Sequence, residues 1–315
     1  MTAAADHPRN LAAANSDFAT VADYFALLKP RVMSLVLFTA VAGLVLAPGH
    51  IPIATAITAL LCVGVGAGAS GALNMAYDAD IDALMSRTIG RPLPQGRITA
   101  GSATGFGVVL AVGSITTMGL LVNPLAAALL AFTIAFYVFV YTAWLKRRTP
   151  QNIVIGGLAG ALPPAIGWSA VTGWLAVPPL VLVAIIFLWT PAHFWALSLY
   201  RTSDYIRAGV PMLPVVSGKP ETRRQIVLYT ALTVAAGFAP VLLGFGGLLY
   251  LAVNAFLGGW FLVQSLRVAI ERDQEREPQA RRLFAVSILY LFAVFAAVLV
   301  EQAAGIAPIP SLIPG

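Results

Sequence analysis

Long apolar runs separated by short polar connections dominate the chain. They fall at about 31–48, 53–76, 101–122, 124–144, 153–172, 177–200, 225–244, 247–268 and 283–304. Each is long enough to cross the ~30 Å hydrocarbon core of a bilayer at ~1.5 Å per helical residue, so the pattern predicts nine membrane helices and an all-α, polytopic fold. The pairs 101–144, 153–200 and 225–268 are joined by uncharged turns: Asn123-Pro124, Thr172-Gly-Trp174 and Gly244-Phe-Gly-Gly247. All nineteen Lys and Arg residues lie in the other connections. Arg9, Lys29 and Arg31 lie in the N-terminal segment, and Arg87, Arg91 and Arg97 follow the second helix. Lys146, Arg147 and Arg148 follow the fourth. Arg201, Arg207, Lys219, Arg223 and Arg224 follow the sixth, and Arg267, Arg272, Arg276, Arg281 and Arg282 join the last two. Every one is on a single side if the N-terminus is inside and the C-terminus outside, and the positive-inside rule makes that side the cytoplasm.

Composition agrees: 59% of the 315 residues are hydrophobic and 10% charged, with a mean hydropathy of +0.86. A soluble domain carries about 25% charged residues. The net charge of +6 calls for no nucleic-acid partner. Residues 1–20 are polar and Ala-rich, without the apolar core of a secretory signal, and are expected to be a disordered cytoplasmic segment. A single membrane domain is expected over 21–305, followed by a short extracytoplasmic tail at 306–315. The lone Cys62 excludes an intrachain disulfide and a Cys-x-x-Cys-His haem attachment.

Against this background the run Asn74-Met-Ala-Tyr-Asp78-Ala-Asp80-Ile-Asp82 stands out, since it gathers three of the thirteen acidic residues at the end of an apolar run. Carboxylates at a membrane helix need a partner or a task. Asn74, Asp78 and Asp82 are four apart and stack along one helix face, roughly 6 Å per step. Such a ladder of oxygen ligands suits Mg²⁺, which takes one or two carboxylates and leaves its other positions to water and substrate phosphates.

Three connections on the same side carry the complementary chemistry. Arg87-Thr-Ile-Gly-Arg91-Pro-Leu-Pro94-Gln-Gly-Arg97 is a stiff cationic loop, and Tyr141 to Asn152 contains Lys146-Arg147-Arg148. The third runs from His193-Phe-Trp through Tyr200-Arg201 and Asp204-Tyr205 to Pro214. A metal-bridged diphosphate needs this mixture, with carboxylates for the metal and Arg and Lys for the remaining phosphate charge.

Each feature also has a plain structural account. Any single Lys or Arg here can serve as a topology anchor. The segment Arg267 to Arg282, interleaved with Glu271, Asp273, Glu275 and Glu277, reads as a solvated charged loop. Asp80 faces away from its neighbours on a helix. His193 can be a packing histidine; Gly156, Gly157 and Gly160 can permit close helix contact; Pro163, Pro164 and Pro191 can be kinks. The ladder itself can be a charged turn after a helix.

The Asn-x-x-x-Asp-x-x-x-Asp pattern, with about nine helices and a second polar motif after the sixth, resembles the intramembrane prenyltransferases of the UbiA superfamily. Several blocks resemble its protohaem IX farnesyltransferase (haem O synthase) branch more closely. They are Lys29-Pro-Arg-Val-Met33, the ladder, Arg87-Thr-x-x-Arg-Pro92, Trp144 to Gly157, Ala159-Gly-Ala-Leu-Pro-Pro164, His193-Phe-Trp-Ala-Leu197, Asp204-Tyr205 and Ala208 to Pro214. Together they cover roughly residues 20–304.

The resemblance implies helices around a central lipid-accessible cavity in the cell inner membrane. It implies transfer of the farnesyl group of farnesyl diphosphate to a vinyl group of protohaem IX (haem B), with addition of water, giving haem O for terminal oxidases. Mg²⁺ would be held by Asn74, Asp78 and Asp82 from one side and Asp204 from the other. Arg87, Arg91, Lys146, Arg147 and Arg201 would grip the diphosphate. Tyr200, His193 and Asn152 would contact substrate, with His193 against the haem, and a haem A synthase would receive the product. Two positions depart from the family pattern. Tyr200 stands where the wider superfamily often has the first acid of Asp-x-x-x-Asp, which leaves the metal count open. Trp189-Thr-Pro-Ala-His193 replaces Trp-Gln-x-Pro-His. A UbiA-type enzyme acting on a quinone-type aromatic or a chlorin is the nearest alternative. A cation-coupled secondary transporter, with Asp78 and Asp82 binding the ion, is another, although transporter sites usually lie at the bilayer midplane.

Overall fold

The structure, a computed structural model, describes residues 19–273 and 275–311. Most of the segment expected to be disordered, 1–18, lies outside them. Thr20 does not belong to a disordered stretch: it is the N-cap of α1 (Val21–Leu27), closing a capping box with Asp23.

Helices are the regular elements of the described residues, with no strand among them. The remaining elements are α2 (Pro30–Leu46), α3 (Ile53–Tyr77), α4 (Ala79–Asp82), α5 (Ala100–Leu121), α6 (Pro124–Ala135), α7 (Asn152–Ala161), α8 (Pro163–Thr172), α9 (Val177–Leu199), α10 (Thr202–Arg207), α11 (Leu213–Val216), α12 (Gly218–Ala236), α13 (Ala239–Leu242), α14 (Leu248–Ala269) and α15 (Pro278–Ala303). Among the described residues eight helices or continuous helix pairs are long and apolar enough to cross a membrane, and α1 with α2, bent by 50°, makes a ninth if the pair is one span. The protein is a multi-pass membrane protein.

Three boundaries differ from the sequence pattern. The first span begins ten residues earlier, at Val21 rather than 31, and bends just before Pro30, where Lys29 takes left-handed angles (φ 53°, ψ 58°) and turns the chain. The seventh begins at Gly218, seven residues before its apolar run. The ninth begins at Pro278, where proline suits a first helical turn.

Apolar side chains face outward as well as inward: Val109, Leu120, Phe139 and Phe256 are all exposed. That is what a helix in lipid requires, since it satisfies its own backbone and has no aqueous face. Inside, two clusters are larger than the rest among the described residues. One joins α9, α12, α14 and α15 around Trp195, Tyr290 and Phe295; the other joins α3, α5, α6 and α8 around Val63, Met118, Leu130 and Ile166. The tail after Ala303 folds back, with Ile309 N donating to Gly246 O at 3.0 Å.

The connection between α14 and α15 is not uniformly solvated. Asp273 and Glu275 are exposed, but Glu277 is fully buried. It receives Lys219 at 3.0 Å, and both of its carboxylate oxygens accept from Arg223 at 2.9 Å. Helix α12 starts early for this reason: its first turns carry Lys219 and Arg223 to a carboxylate on the neighbouring connection.

Candidate active site

The ladder straddles a helix end. Helix α3 stops at Tyr77 and α4 starts at Ala79, so Asp78 sits at the junction rather than inside a continuous helix. The four-residue spacing survives nonetheless, because Asp78 N donates to Asn74 O at 2.9 Å and Asp82 N to Asp78 O at 2.8 Å. Asn74, Asp78 and Asp82 are all buried.

The groups opposite them are placed by an irregularity. After Ala135 the fourth span widens into a π-helix, Phe136–Leu145, which ends with Lys146 N donating to Tyr141 O at 2.9 Å. Each π-turn holds an extra residue and rotates the rest of the helix, and such segments concentrate at functional sites. Here the rotation turns Thr142 onto Asn74 (Nδ2 to Oγ1 3.1 Å) and delivers Lys146 to Asp78 Oδ2. The bulky Tyr141 fits because its ring lies over Gly156, where a Cβ would stand 2.2 Å from it. Arg147 comes next, making a two-pronged pair with Asp80 at 2.7 and 2.8 Å and standing 3.5 Å from Asp78 Oδ1. Those hydrogen bonds hold the Asp80 carboxyl below its usual range and Arg147 above its own.

The other two carboxylates are paired as well. Arg91 reaches Asp82 at 2.5 Å, and Thr88 Oγ1 donates to the Asp82 carbonyl at 2.8 Å, folding the cationic loop back over the ladder. Asp204, on α10, accepts from Ser86 Oγ at 2.7 Å and from Arg207. Arg201 approaches the same Ser86 at 3.5 Å. Ser86 thus links the ladder's loop to the second motif across the molecule. Burial pushes the neighbouring Tyr205 hydroxyl up, and the charge of the exposed Arg87 opposes that shift.

Every buried carboxylate of the site therefore has a basic partner, as the desolvation cost of an unpaired charge demands. Among the described residues no three acidic, His or Cys side chains converge to enclose a metal ion. The ladder and Asp204 are brought to one end of the bundle, but not as a ready-made cage. The donor set nonetheless fits a hard cation. It is all oxygen, and the buried Asp78 Oδ1 has no hydrogen-bond partner.

Lys29 belongs to the site and was not among the residues singled out as ligands. Its Nζ donates to Asn74 Oδ1 at 2.8 Å, while Asn74 Nδ2 donates to Asp78 Oδ2 at 2.7 Å. A lysine directly before a proline at the head of an apolar run was the available signal; basic residues at helix ends ordinarily read as anchors. Lys29 also lines an apolar cavity between α2, α3, α6, α7 and α8, with Ser70 and Tyr137 near the same end and Val63, Leu130 and Ile166 deeper.

The remaining candidates lie elsewhere or serve locally. Asn152 Nδ2 donates to Thr149 O at 2.6 Å, pinning the turn into α7, and its buried Oδ1 is unpartnered. Tyr200 packs against Phe284 and beneath Arg281, whose guanidinium lies 4.4 Å from the ring. His193 is sandwiched between Trp189 (4.2 Å) and Phe284 (4.4 Å), with Nδ1 2.7 Å from Ser287 Oγ. Of the prolines, Pro163 opens α8, and Pro191 lies inside α9 without ending it.

Residues 36–292 match the UbiA prenyltransferase family. The chain is 60% identical over 285 residues to the protoheme IX farnesyltransferase of Parvibaculum lavamentivorans, covering 90% of each chain. It is 59% identical to proteins of that name from Rhodopseudomonas palustris, covering 94% of this chain and 95% of that one, and Bradyrhizobium diazoefficiens, covering 90% of each. Among solved structures it is similar to digeranylgeranylglyceryl phosphate synthase, with a TM-score of 0.74 and 19% identity over 90% of this chain and 99% of that one. A UbiA homolog from Archaeoglobus fulgidus bound to DMAPP and Mg²⁺ gives 0.64 and 18%, over 88% and 99%. Those structural likenesses carry the fold, and the sequence relatives carry the branch. The chain belongs to the UbiA prenyltransferase family, alongside relatives named protoheme IX farnesyltransferase.

Proposed function

We propose that the protein transfers the farnesyl group of farnesyl diphosphate to a vinyl group of protohaem IX, with addition of water, giving haem O. The site would face the cytoplasm from the cell inner membrane. One observation supports this most: the Lys29–Asn74–Asp78–Lys146 network lies at the polar end of an apolar cavity, in a chain about 60% identical to proteins of that name. A diphosphate headgroup needs the first part and an isoprenoid tail the second.

Asn74, Asp78, Asp82 and Asp204 are the residues that would hold Mg²⁺. When bound, the ion supplies positive charge that makes diphosphate a competent leaving group. The chain's own cations do the rest. Lys146, Arg147 and Arg91, now paired with carboxylates, would turn to phosphate oxygens, and Arg87 and Arg201 would join them from the loops. Charge-assisted hydrogen bonds of this kind strengthen as the C1–O bond breaks and its electron pair leaves with the diphosphate. The terminal vinyl carbon of the haem then bonds to C1 of the farnesyl group. Water adds to the resulting cation next to the porphyrin ring and loses a proton, so the products are haem O, diphosphate and H⁺. Apolar walls keep water from the allylic cation until then.

His193 is assigned to the haem and Tyr200 to the substrate mouth. Ser287 Oγ donates to Phe284 O at 2.7 Å, so it accepts the Nδ1 proton of His193 and leaves Nε2 with its lone pair in the ring plane. Asn152 is assigned a substrate contact through its unpartnered Oδ1, and a haem A synthase would take up the product.

Purified protein given haem B, farnesyl diphosphate and Mg²⁺ tests the assignment. Extracted haem should gain the mass of farnesyl plus water, and no such gain defeats it.

A further inference from the structure

The apolar cavity has a floor at a definite depth, and we propose that this floor, made by Val63, Leu130 and Ile166, selects a prenyl chain of three isoprene units. The inference rests on the reading that the cavity holds the tail of a prenyl diphosphate whose headgroup lies at Lys29, Asn74 and Asp78.

The walls run from a polar end to an apolar one. Along α3 the lining passes from Ser70 to Val63, along the fourth span from Tyr137 to Leu130, and along α7 and α8 from Ala159 to Ile166. At the deep end Val63, Leu130 and Ile166 are 3%, 2% and 1% exposed, so they close the space rather than line an onward channel. The closure is rigid because α2 and α8 touch backbone to backbone beside it. A Cβ on Gly43 would stand 1.9 Å from Pro164 O, and one on Gly167 2.0 Å from Ala40 O. No isoprene unit passes where a methyl group cannot.

Helix rise converts the lining into a length. From Asn74 to Val63 is eleven residues, or about 16 Å. An extended polyprenyl chain advances about 1.25 Å per ~1.5 Å C–C bond, giving about 9 Å for geranyl, about 14 Å for farnesyl and about 19 Å for geranylgeranyl. With C1 level with Asn74, farnesyl fills the depth and geranylgeranyl overruns it. Ala67, which lines the cavity and is half-buried, lies about 10 Å below Asn74. A larger side chain there closes the space just beyond a geranyl group.

Two variants move the floor in opposite directions. Wild type, Ile166→Ala and Ala67→Leu would each be given haem B, Mg²⁺ and an equimolar mixture of geranyl, farnesyl and geranylgeranyl diphosphates, and the prenylated haems resolved by mass. Wild type should make the farnesyl product. Ile166→Ala should raise the geranylgeranyl-to-farnesyl ratio, and Ala67→Leu the geranyl-to-farnesyl ratio, each by at least ~10-fold, since added or removed methylenes discriminate on that scale. General loss of stability cannot shift the ratio in both directions. Variants that make haem O with unchanged ratios overturn the floor and leave the reaction standing. No prenylated haem from wild type with any donor defeats the proposed reaction instead. The floor is then decided by binding alone: displacement of farnesyl thiodiphosphate by its shorter and longer homologues, where an unchanged rank order in both variants overturns it. If Ile166→Ala does not fold, Ala67→Leu decides by the same measurements.

Discussion

Lys29 Nζ donates to Asn74 Oδ1 at 2.8 Å, so the amide oxygen best suited to a metal ion is held by a lysine at the bend between α1 and α2. The two cations need the same oxygen, and a bound diphosphate gives Lys29 somewhere else to go. Lys29→Met should therefore raise the KM for farnesyl diphosphate by roughly 10-fold or more, the worth of one charge-assisted hydrogen bond of about 1.5–3 kcal/mol. The Mg²⁺ concentration for half-maximal activity should fall in the same variant, because the competitor is gone. Steady-state kinetics against each ligand checks both, and a KM within twofold of wild type sinks the headgroup role.

Asp78→Asn and Asp82→Asn should each cut haem O formation by more than ~100-fold while leaving the protein folded, since each removes a carboxylate that would hold the Mg²⁺ needed to neutralise the leaving diphosphate. Lys146 tolerates the loss because its side chain is 16% exposed and reaches water. Product analysis with size-exclusion chromatography in detergent separates the two effects. Substantial haem O from either variant refutes the metal role of that residue.

His193→Ala should weaken haem B binding and change the absorption spectrum of the bound haem. Ser287→Ala should change the spectrum in the same direction by a smaller amount, because it only releases the ring's tautomer and orientation. Titration of purified protein with haem B reads both. Unchanged affinity and spectra in His193→Ala end its assignment as a haem contact.

Glu277→Gln should be among the most destabilising substitutions outside the site. It strands Arg223, whose side chain is 7% exposed, without its counter-charge. Breaking a buried pair in this way costs about 3–5 kcal/mol. Thermal unfolding in detergent should show a clear fall in Tm, and a Tm equal to wild type would mean that Arg223 finds water there.

Much of this was legible in the chain. Nine apolar runs and a one-sided distribution of Lys and Arg were enough for a helical membrane bundle, because a bilayer leaves a backbone few other ways to satisfy itself. The ladder was legible too, since its four-residue spacing holds across the break at Asp78 through the backbone hydrogen bonds at 2.9 and 2.8 Å. The bend at Lys29 was only half visible, with Pro30 marking a boundary but not the 50° turn behind it.

Apolar patterning, acid spacing and charge placement are local properties, so the sequence by itself determined the element type, the number of spans and the identity of the polar groups. Partnership is not local. Lys29 and Asn74 are 45 residues apart, Asn74 and Thr142 68, Ser86 and Asp204 118. The π-helix at Phe136–Leu145 leaves no mark in hydropathy, because widening a turn changes direction without changing composition. Glu277 looked solvated among its charged neighbours until packing buried it against Arg223. Tertiary structure alone decided which cation meets which carboxylate, and at what depth the apolar cavity ends. Both are set by where separate helices touch, and desolvation makes those contacts obligatory once they form.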